Sequence, residues 1–270
     1  MLYIIPNIND IETSISLAKR YDAAFEYNDF YRPDILTNEE RFHRTIHFYK
    51  SLDRDRSKDT LHGAFMDVTI HSSDPGIVYI SDLRIRQSMR AAEELGIRAV
   101  IFHTNLLPNF NDDNYLEQWC NKNETYFRKL CARYPKIDIF MENMFDDRPD
   151  SLVRLAYRMK DVRNFGICFD YAHALIFGYK VSIAEWTSKL LPYTKHMHIN
   201  DHNGKSDLHL AVGNGVTDWS QYERMIEYAD VSPSVLIETT VPGDIELSVK
   251  YMESNKIYPF TENTQKFRLL

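Results

Sequence analysis

Long apolar runs are missing from this chain of 270 residues: no stretch approaches the roughly 18 consecutive apolar residues of a membrane span. The N-terminal MLYIIPNINDIETS also lacks the basic start, apolar run and small-residue cleavage site of a secretory signal, so a soluble, cytoplasmic protein is expected. Cysteine is scarce. Cys120, Cys131 and Cys168 are odd in number and without C-x-x-C spacing, which fits three structural thiols rather than a disulfide framework or a zinc knuckle. Basic charge is not in excess either: 32 Lys and Arg against 39 Asp and Glu leave a net charge of −7. Nothing global therefore draws the chain to nucleic acid, although bound cations or a locally basic groove would change the field at a site. Linkers rich in Pro, Gly or Ser, low-complexity blocks and charge runs are absent too, and residues 1–270 read as one domain.

What is present is an ordinary globular composition, 44% hydrophobic and 26% charged, arranged as an alternation. β-type runs occur at Leu2–Ile5, Ala23–Tyr27, Thr60–Phe65, Ala99–His103, Ile137–Glu142, Gly166–Asp170, His196–Asn200 and Val235–Thr239. Amphipathic segments at Ser81–Leu95, Asn114–Arg133, Ser151–Lys160, Ile183–Leu190, Trp219–Tyr228 and Ile245–Glu253 lie between them, with Ser81, Asp150 and Asp218 as expected caps. Strands alternating with helices imply parallel pairing through right-handed crossovers. Eight such units close a (β/α)8 barrel; a doubly wound open sheet more often has five or six strands and a Gly-rich first turn, absent here.

On that map His62, His103, Glu142, Asp170, His198 and Glu238 fall at six strand regions, each near a C-terminal end. Such ends converge on one mouth of a barrel. Alone, each residue reads as a hydrogen-bonded structural group or a helix cap; together, carboxylates crowded into one mouth call for a compensating divalent cation. Imidazole and carboxylate ligands suit Zn2+ or Mn2+, with Fe2+, Co2+ or Mg2+ as further candidates. In GICFDYAH, His173 follows Asp170 by three residues, and HINDHNGKSDLHLAVGNG supplies Asp207 and His209 as a D-x-H pair whose side chains share a face if extended. His173, Asp207 and His209 are candidates for a separate ion, for one to three ions per chain.

The elements LHGAFMD, VIFHTN, FMEN, GICFDYAH, HINDHNG, DLHLAVGNG and VLIET resemble the xylose isomerase-like TIM barrel superfamily, also called AP endonuclease family 2. Two branches are implied. In resemblance to endonuclease IV, a repair phosphodiesterase with three metals, ligands match His62, His103, Glu142, Asp170, His173, His198, Asp207, His209 and Glu238. Glu142 would bridge the site of His62 and His103 to that of Asp170, His198 and Glu238. The D-T-C-H form of that branch is here D-Y-A-H, and the loop EYNDFYRPD lacks its N-P-R-like DNA-contacting sequence.

In resemblance to the sugar and sugar-phosphate isomerases and epimerases, Glu142, Asp170, His198 and Glu238 hold one ion. Glu142 and Glu238 double there as catalytic acid and base beside a metal-bound carbonyl, and His173 binds a substrate hydroxyl. Glu26 and the HGAFMD segment look closer to this branch, so Glu26 and Phe65 join His173 as expected substrate-binding residues. The expected function is a metal-dependent sugar or sugar-phosphate isomerase or epimerase, with the phosphodiesterase as the alternative and DNA a partner only in that alternative. Of the aromatics, Tyr27, Phe30 and Tyr31 are expected near the mouth; Trp219, Tyr126, Phe127 and Tyr134 are expected to pack helices. Met66, beside Phe65, reads as a core or pocket residue.

Overall fold

The computed structural model describes residues 1–107 and 112–261. Strands β1 (Leu2–Ile4), β2 (Ala23–Tyr27), β3 (Thr60–His62), β4 (Ala99–His103), β5 (Asp138–Glu142), β6 (Phe165–Asp170), β7 (Thr194–Ile199) and β8 (Ser234–Ile237) pair in parallel and in sequence order. Strand β1 also pairs with β8, which closes the expected eight-stranded barrel. Around it run α1 (Ile11–Tyr21), α2 (Pro33–Leu36), α3 (Glu39–Ser51), α4 (Pro75–Leu95), α5 (Asp113–Arg133), α6 (Asp150–Arg158), α7 (Tyr171–Ile176), α8 (Ile183–Leu190), α9 (Trp219–Ala229) and α10 (Pro242–Ser254). No helix among the described residues is long and apolar enough to cross a membrane.

Alternation along each strand divides the core in two. One set of alternate residues, including Phe25, Leu61, Val100, Phe102, Ile139, Met141, Phe169 and Met197, joins the large apolar layer shared with the helices. The other set fills the barrel: Tyr3, Ile5, Ala24 and Leu236 form one small cluster, and Ala99, Ile101, Phe140 and Cys168 another. Two residues further along the strands this interior turns polar. Glu26 follows Ala24, His103 follows Ile101, Glu142 follows Phe140 and Asp170 follows Cys168, all of them buried. Register then makes His103 the partner of Glu142, and Asp170 the partner of His198.

Several boundaries differ from the sequence expectation. Helix α4 starts at Pro75, where Asp74 caps it by accepting from the Gly76 N–H at 2.7 Å. Ser81 is no cap; it is buried in the second turn and accepts from the Thr69 N–H at 2.8 Å. Asp150 is the first residue of α6 and makes no cap bond; it pairs with Lys189 at 2.9 Å. Asp218 does cap α9, accepting from the Gln221 N–H at 3.0 Å. Strand β3 ends at His62, so Gly63–Phe65 belongs to the mouth. Tyr27 and Phe30 are fully buried in the helix-side core, leaving Tyr31 alone of that trio on the cleft.

One buried ion pair ties the early units together. Asp59, fully buried just before β3, accepts from the Phe25 N–H at 2.8 Å and the Tyr27 hydroxyl at 2.6 Å, and both its oxygens meet the Arg54 guanidinium. The Arg54 side chain is only 12% exposed, so removing one partner strands a desolvated charge, which costs roughly 3–5 kcal/mol. Asp59→Ala should lower unfolding stability by about that amount in urea titration, whereas Glu40→Ala, at an exposed pair, should cost less than about 1 kcal/mol.

Candidate metal centre

At the C-terminal mouth the barrel floor is a set of imidazoles and carboxylates a few ångströms apart. Glu142, fully buried, lies with Oε2 3.2 Å from His103 Nε2, 3.3 Å from His198 Nδ1 and 3.8 Å from His62 Nε2. Its Oε1 is 3.5 Å from His173 Nδ1. Neither carboxylate oxygen has a hydrogen-bond partner among the described residues, and Asp170 Oδ2, His198 Nδ1 and Asp207 Oδ1 are likewise buried without one. His62 and His103 approach each other through Nε2 at 2.9 Å, and Glu238 Oε1 lies 3.6 Å from His198 Nδ1. His62, His103 and Glu142 form one group with the spacing of a metal site; Glu142, Asp170 and His198 form another. Tetrahedral ligands about 2.0–2.1 Å from an ion sit about 3.3 Å apart, which is the spacing found.

The histidines are committed in a consistent sense. His62 Nδ1 is 3.0 Å from the Gly63 carbonyl, His173 Nδ1 is 2.9 Å from the Asn143 carbonyl and His209 Nδ1 is 2.9 Å from the Glu238 carbonyl. Each carbonyl accepts the Nδ1 proton and leaves Nε2 as the atom that faces the mouth and can ligate once deprotonated, the arrangement of an oriented ligand. His103 repeats it with Met144 Sδ at 2.9 Å from Nδ1. Asn143, unremarked in the sequence beyond its place in FMEN, positions two of these groups. Its side chain bonds the Asp170 backbone at 2.9 and 3.0 Å while its carbonyl holds His173.

The third group is built differently. His173 belongs to α7, and its N–H is capped by Asp170 Oδ1 at 2.6 Å. Asp207 Oδ2 receives both His173 Nε2 at 3.2 Å and His209 Nε2 at 3.0 Å. The pair meets although the chain is not extended, because His209 adopts a left-handed φ of 48°. Here the side chains reach solvent: His209 is 40% exposed and Asp207 21%, against 0% for Glu142.

Charge follows this layout. Burial together with the neighbouring His103 pushes the His62 pKa down to about 4, so that ring is neutral. Burial opposes ionisation of Glu142 and Glu238, but His103 and His198 hold the first well below the carboxylate range, and His198 with His209 hold the second at about 2. Asp170 goes the other way: burial, with Glu238, Glu142 and Asp207 nearby, lifts it well above its usual value despite His173. Against the penalty of burial, His173 is raised by the carboxylates around it and His198 by Cys168 and then by Glu142, Glu26 and Glu238, while His209 reaches about 10.

Of the expected substrate residues, His173 and Phe65 line the cleft, a cavity of about 430 Å3. Phe65 packs on His62 and His103 with ring centroids 5.0 and 4.5 Å apart, so it covers the first group from above. Glu26 corrects its expectation: it is fully buried beneath the floor, against His196 and His198, and lines no part of the cleft. Met66 is 59% exposed and belongs neither to core nor to cleft. A further group, Cys168, His196 and His198, lies deeper in the barrel and is wholly buried.

The loop between β7 and α9 is held by a residue the sequence did not single out. Asp201 accepts from the His202 and Thr217 amides at 2.9 and 3.1 Å, and from the Gly213 amide and the Trp219 indole at 3.0 Å each. Glycine is required at 213, where φ is 90°, and at 215, where a Cβ would collide with Asp201 Oδ1. Trp219 is thus both the expected packing residue, set against Tyr171 and Tyr222, and an anchor of this loop. An orphaned buried donor costs about 1–3 kcal/mol. Asp201→Ala should therefore speed hydrogen exchange at the Gly213 and Thr217 amides by roughly tenfold or more, while strand amides of β4–β6 stay protected.

Comparison with known proteins bears on the fold and the family. Two curated relatives match: an uncharacterized protein of Methanocaldococcus jannaschii, 28% identical over 171 residues, and a probable endonuclease 4 of Aquifex aeolicus, 22% identical over 181 residues. The matches span 60% and 59% of this chain, and 58% and 63% of those proteins. Among solved structures, the TTHB071 protein of Thermus thermophilus, soaked with ZnCl2, aligns over 94% of this chain and 96% of its own with a TM-score of 0.72 at 22% identity. A D-tagatose 3-epimerase-like protein aligns over 98% and 99% with a TM-score of 0.70 at 20% identity. These structural likenesses show the fold. Residues 42–255 match the family described as xylose isomerase-like TIM barrel, and the chain belongs to that family.

Proposed function

We propose that this chain is a multinuclear, divalent-metal-dependent phosphodiester hydrolase acting on a small molecule, with Glu142 shared between two ions. The observation that carries the reading is the pair His62 and His103, whose Nε2 atoms meet at 2.9 Å beside Glu142 Oε2. A one-ion site of Glu142, Asp170, His198 and Glu238 leaves that pair, and Asp207 with His209, without an ion to hold. The donor set fits Zn2+ or Mn2+: imidazole nitrogens with a fixed tautomer, and buried carboxylate oxygens left without hydrogen bonds. His62, His103 and Glu142 would hold one ion, Glu142, Asp170, His198 and Glu238 a second, and His173, Asp207 and His209 a third. When bound, such ions supply hydroxide at neutral pH and stabilise the attacking and leaving oxygens of an in-line displacement.

The chain's own residues supply the rest. Phe65 and Tyr31 pack together and form an apolar wall of the cleft beside the first group. Glu238, ionised down to a pH of about 2, faces the same space with an oxygen able to accept a proton or orient a nucleophile. Substrate size follows from charge, since the cleft lining contains no Lys or Arg among the described residues. Binding to DNA draws its affinity from backbone phosphates neutralised by Lys and Arg, and the cleft lining supplies none of these. A cavity of about 430 Å3 matches a small molecule.

The sugar isomerase or epimerase is the second reading, favoured by one observation: Glu142 and Glu238 approach the same His198 nitrogen from two sides, at 3.3 and 3.6 Å, as a facing pair of carboxylates would. The solved D-tagatose 3-epimerase-like protein shares the frame.

Protons occupy these groups before a cation does, since Asp170, His173, His198 and His209 are all raised. Ion binding must displace them. Metal affinity should therefore rise with pH across the neutral range, and calorimetry in buffers of different ionisation enthalpy should show proton release. Elemental analysis after loading with Zn2+ and Mn2+ should find more than one ion per chain; a single ion would remove the support for the multinuclear reading.

The reaction is tested directly by offering the loaded enzyme bis(p-nitrophenyl) phosphate, an abasic-site duplex, and a panel of ketoses and their phosphates in D2O. Hydrolysis of the small diester is expected, with Glu142→Ala lowering it by ~10²-fold or more, at least the loss that follows from disturbing an outer partner of a metal ligand. Deuterium incorporated beside a carbonyl, without release of p-nitrophenol from the diester, would select the isomerase instead.

A further inference from the structure

His198 is turned the opposite way from its neighbours. His62, His103, His173 and His209 each commit Nδ1 to a carbonyl or a sulfur and present Nε2 to the mouth, whereas His198 presents Nδ1 to Glu142 and Glu238. A ring that offers Nδ1 as a lone pair must carry its proton on Nε2, and that proton needs an acceptor in the closed interior of the barrel. His198 is fully buried, with no water-facing side. The carboxylate below it is Glu26, whose Oε1 lies 3.1 Å from His198 Nε2. The pair has the distance of a hydrogen bond without its alignment, and neither atom has another hydrogen-bond partner among the described residues.

Glu26 is itself held in place. Thr60 donates its hydroxyl to Oε2 at 2.6 Å, and His196 Nε2 stands 3.2 Å from the same oxygen. His196 is anchored in turn, with Nδ1 2.7 Å from Ser234 Oγ and its ring stacked on Phe140. The chain from Ser234 through His196 and Glu26 to His198 runs inside the barrel from its apolar half to the floor of the mouth. None of these four residues lines the cleft.

We infer that Glu26 is a positioning residue: it retains the Nε2 proton of His198 and so makes Nδ1 the atom offered to a cation beside Glu142, Asp170 and Glu238. The same commitment makes the deeper group of Cys168, His196 and His198 unsuited to an ion of its own, because His198 Nε2 is already engaged. This inference rests on the multinuclear reading only for the identity of what His198 holds; the direction in which His198 is turned is independent of it.

Two readouts separate these. In zinc titration against a chromophoric chelator, Glu26→Gln should weaken one class of site by about 10–100-fold, the usual effect of disturbing a carboxylate behind a metal-bound histidine, and leave the remaining sites unchanged. Glu26→Asp should recover part of the loss. In proton–nitrogen correlation spectra of histidine-labelled, metal-free protein, followed upward in pH until His198 has lost its second proton, the neutral ring should keep its remaining proton on Nε2 in the wild type and lose that preference in Glu26→Leu. Should the Glu26 variants fail to fold, Thr60→Val, which removes the hydroxyl pinning Oε2, should shift both readouts in the same direction and by less. Unchanged zinc affinity together with an unchanged His198 tautomer in these variants would overturn the assignment. A wild type that binds no zinc but keeps the Glu26-dependent tautomer would refute the metal reading and leave the positioning role standing.

Discussion

Everything at the mouth depends on one unsatisfied carboxylate. Glu142 sits at the end of β5 with no exposure and, among the described residues, no hydrogen bond to either oxygen, surrounded by His62, His103, His173 and His198. A lone charge in such a place costs several kcal/mol, and a protein that needed only a packed core would close the barrel top with apolar side chains, as it does two residues lower with Phe140 and Ile101. Each neighbouring polar group answers to Glu142: its ionisation is kept by the imidazoles around it, and behind them stand backbone carbonyls at His62 and His173, the Met144 sulfur at His103 and Glu26 at His198.

Much of this was legible in the sequence because a closed barrel converts strand position into spatial position. The runs ending in His103, Glu142 and Asp170 stop being apolar at the point where the strand meets the mouth, and His198 falls within the run His196–Asn200, so the ligand types could be placed without knowing any contact. Glu26 could not be placed in this way. It lies on an apolar-flanked strand like the others, but register pairs it with Thr60, two residues short of His62, which sets it a layer deeper than the mouth. Register is a property of the assembled sheet, and the local run of residues carries no trace of it.

Helix starts failed for a related reason. The first turns of α4 carry Ile77, Tyr79 and Ile80, each at least 40% exposed, so apolar periodicity becomes readable only near Ser81, six residues after the helix has begun. Similarly, the same-face argument for Asp207 and His209 supposed an extended segment. The side chains do converge, through a left-handed residue in a loop that Asp201 organises by accepting four bonds, and long-range acceptors of that kind have no local signature.

The three groups differ in what holds them, and that difference bears on how one frame accommodates different chemistries. His62, His103, Glu142, Asp170 and His198 come from strands, where their mutual distances are set by hydrogen-bonded register and cannot change without rebuilding the barrel. His173 comes from a short helix capped by Asp170, and Asp207 and His209 come from a loop tied to the barrel mainly through Asp201 and the Glu238 carbonyl. The strand-borne groups are thus rigid and buried, while the loop-borne group is partly exposed and rests on few anchors. Under the multinuclear reading the strand-borne set would account for two ions by itself, and the loop-borne set would add a third without disturbing the core. In this chain both are present, and the paired His62 and His103, which belong to the rigid part, are what weight the reading toward more than one ion.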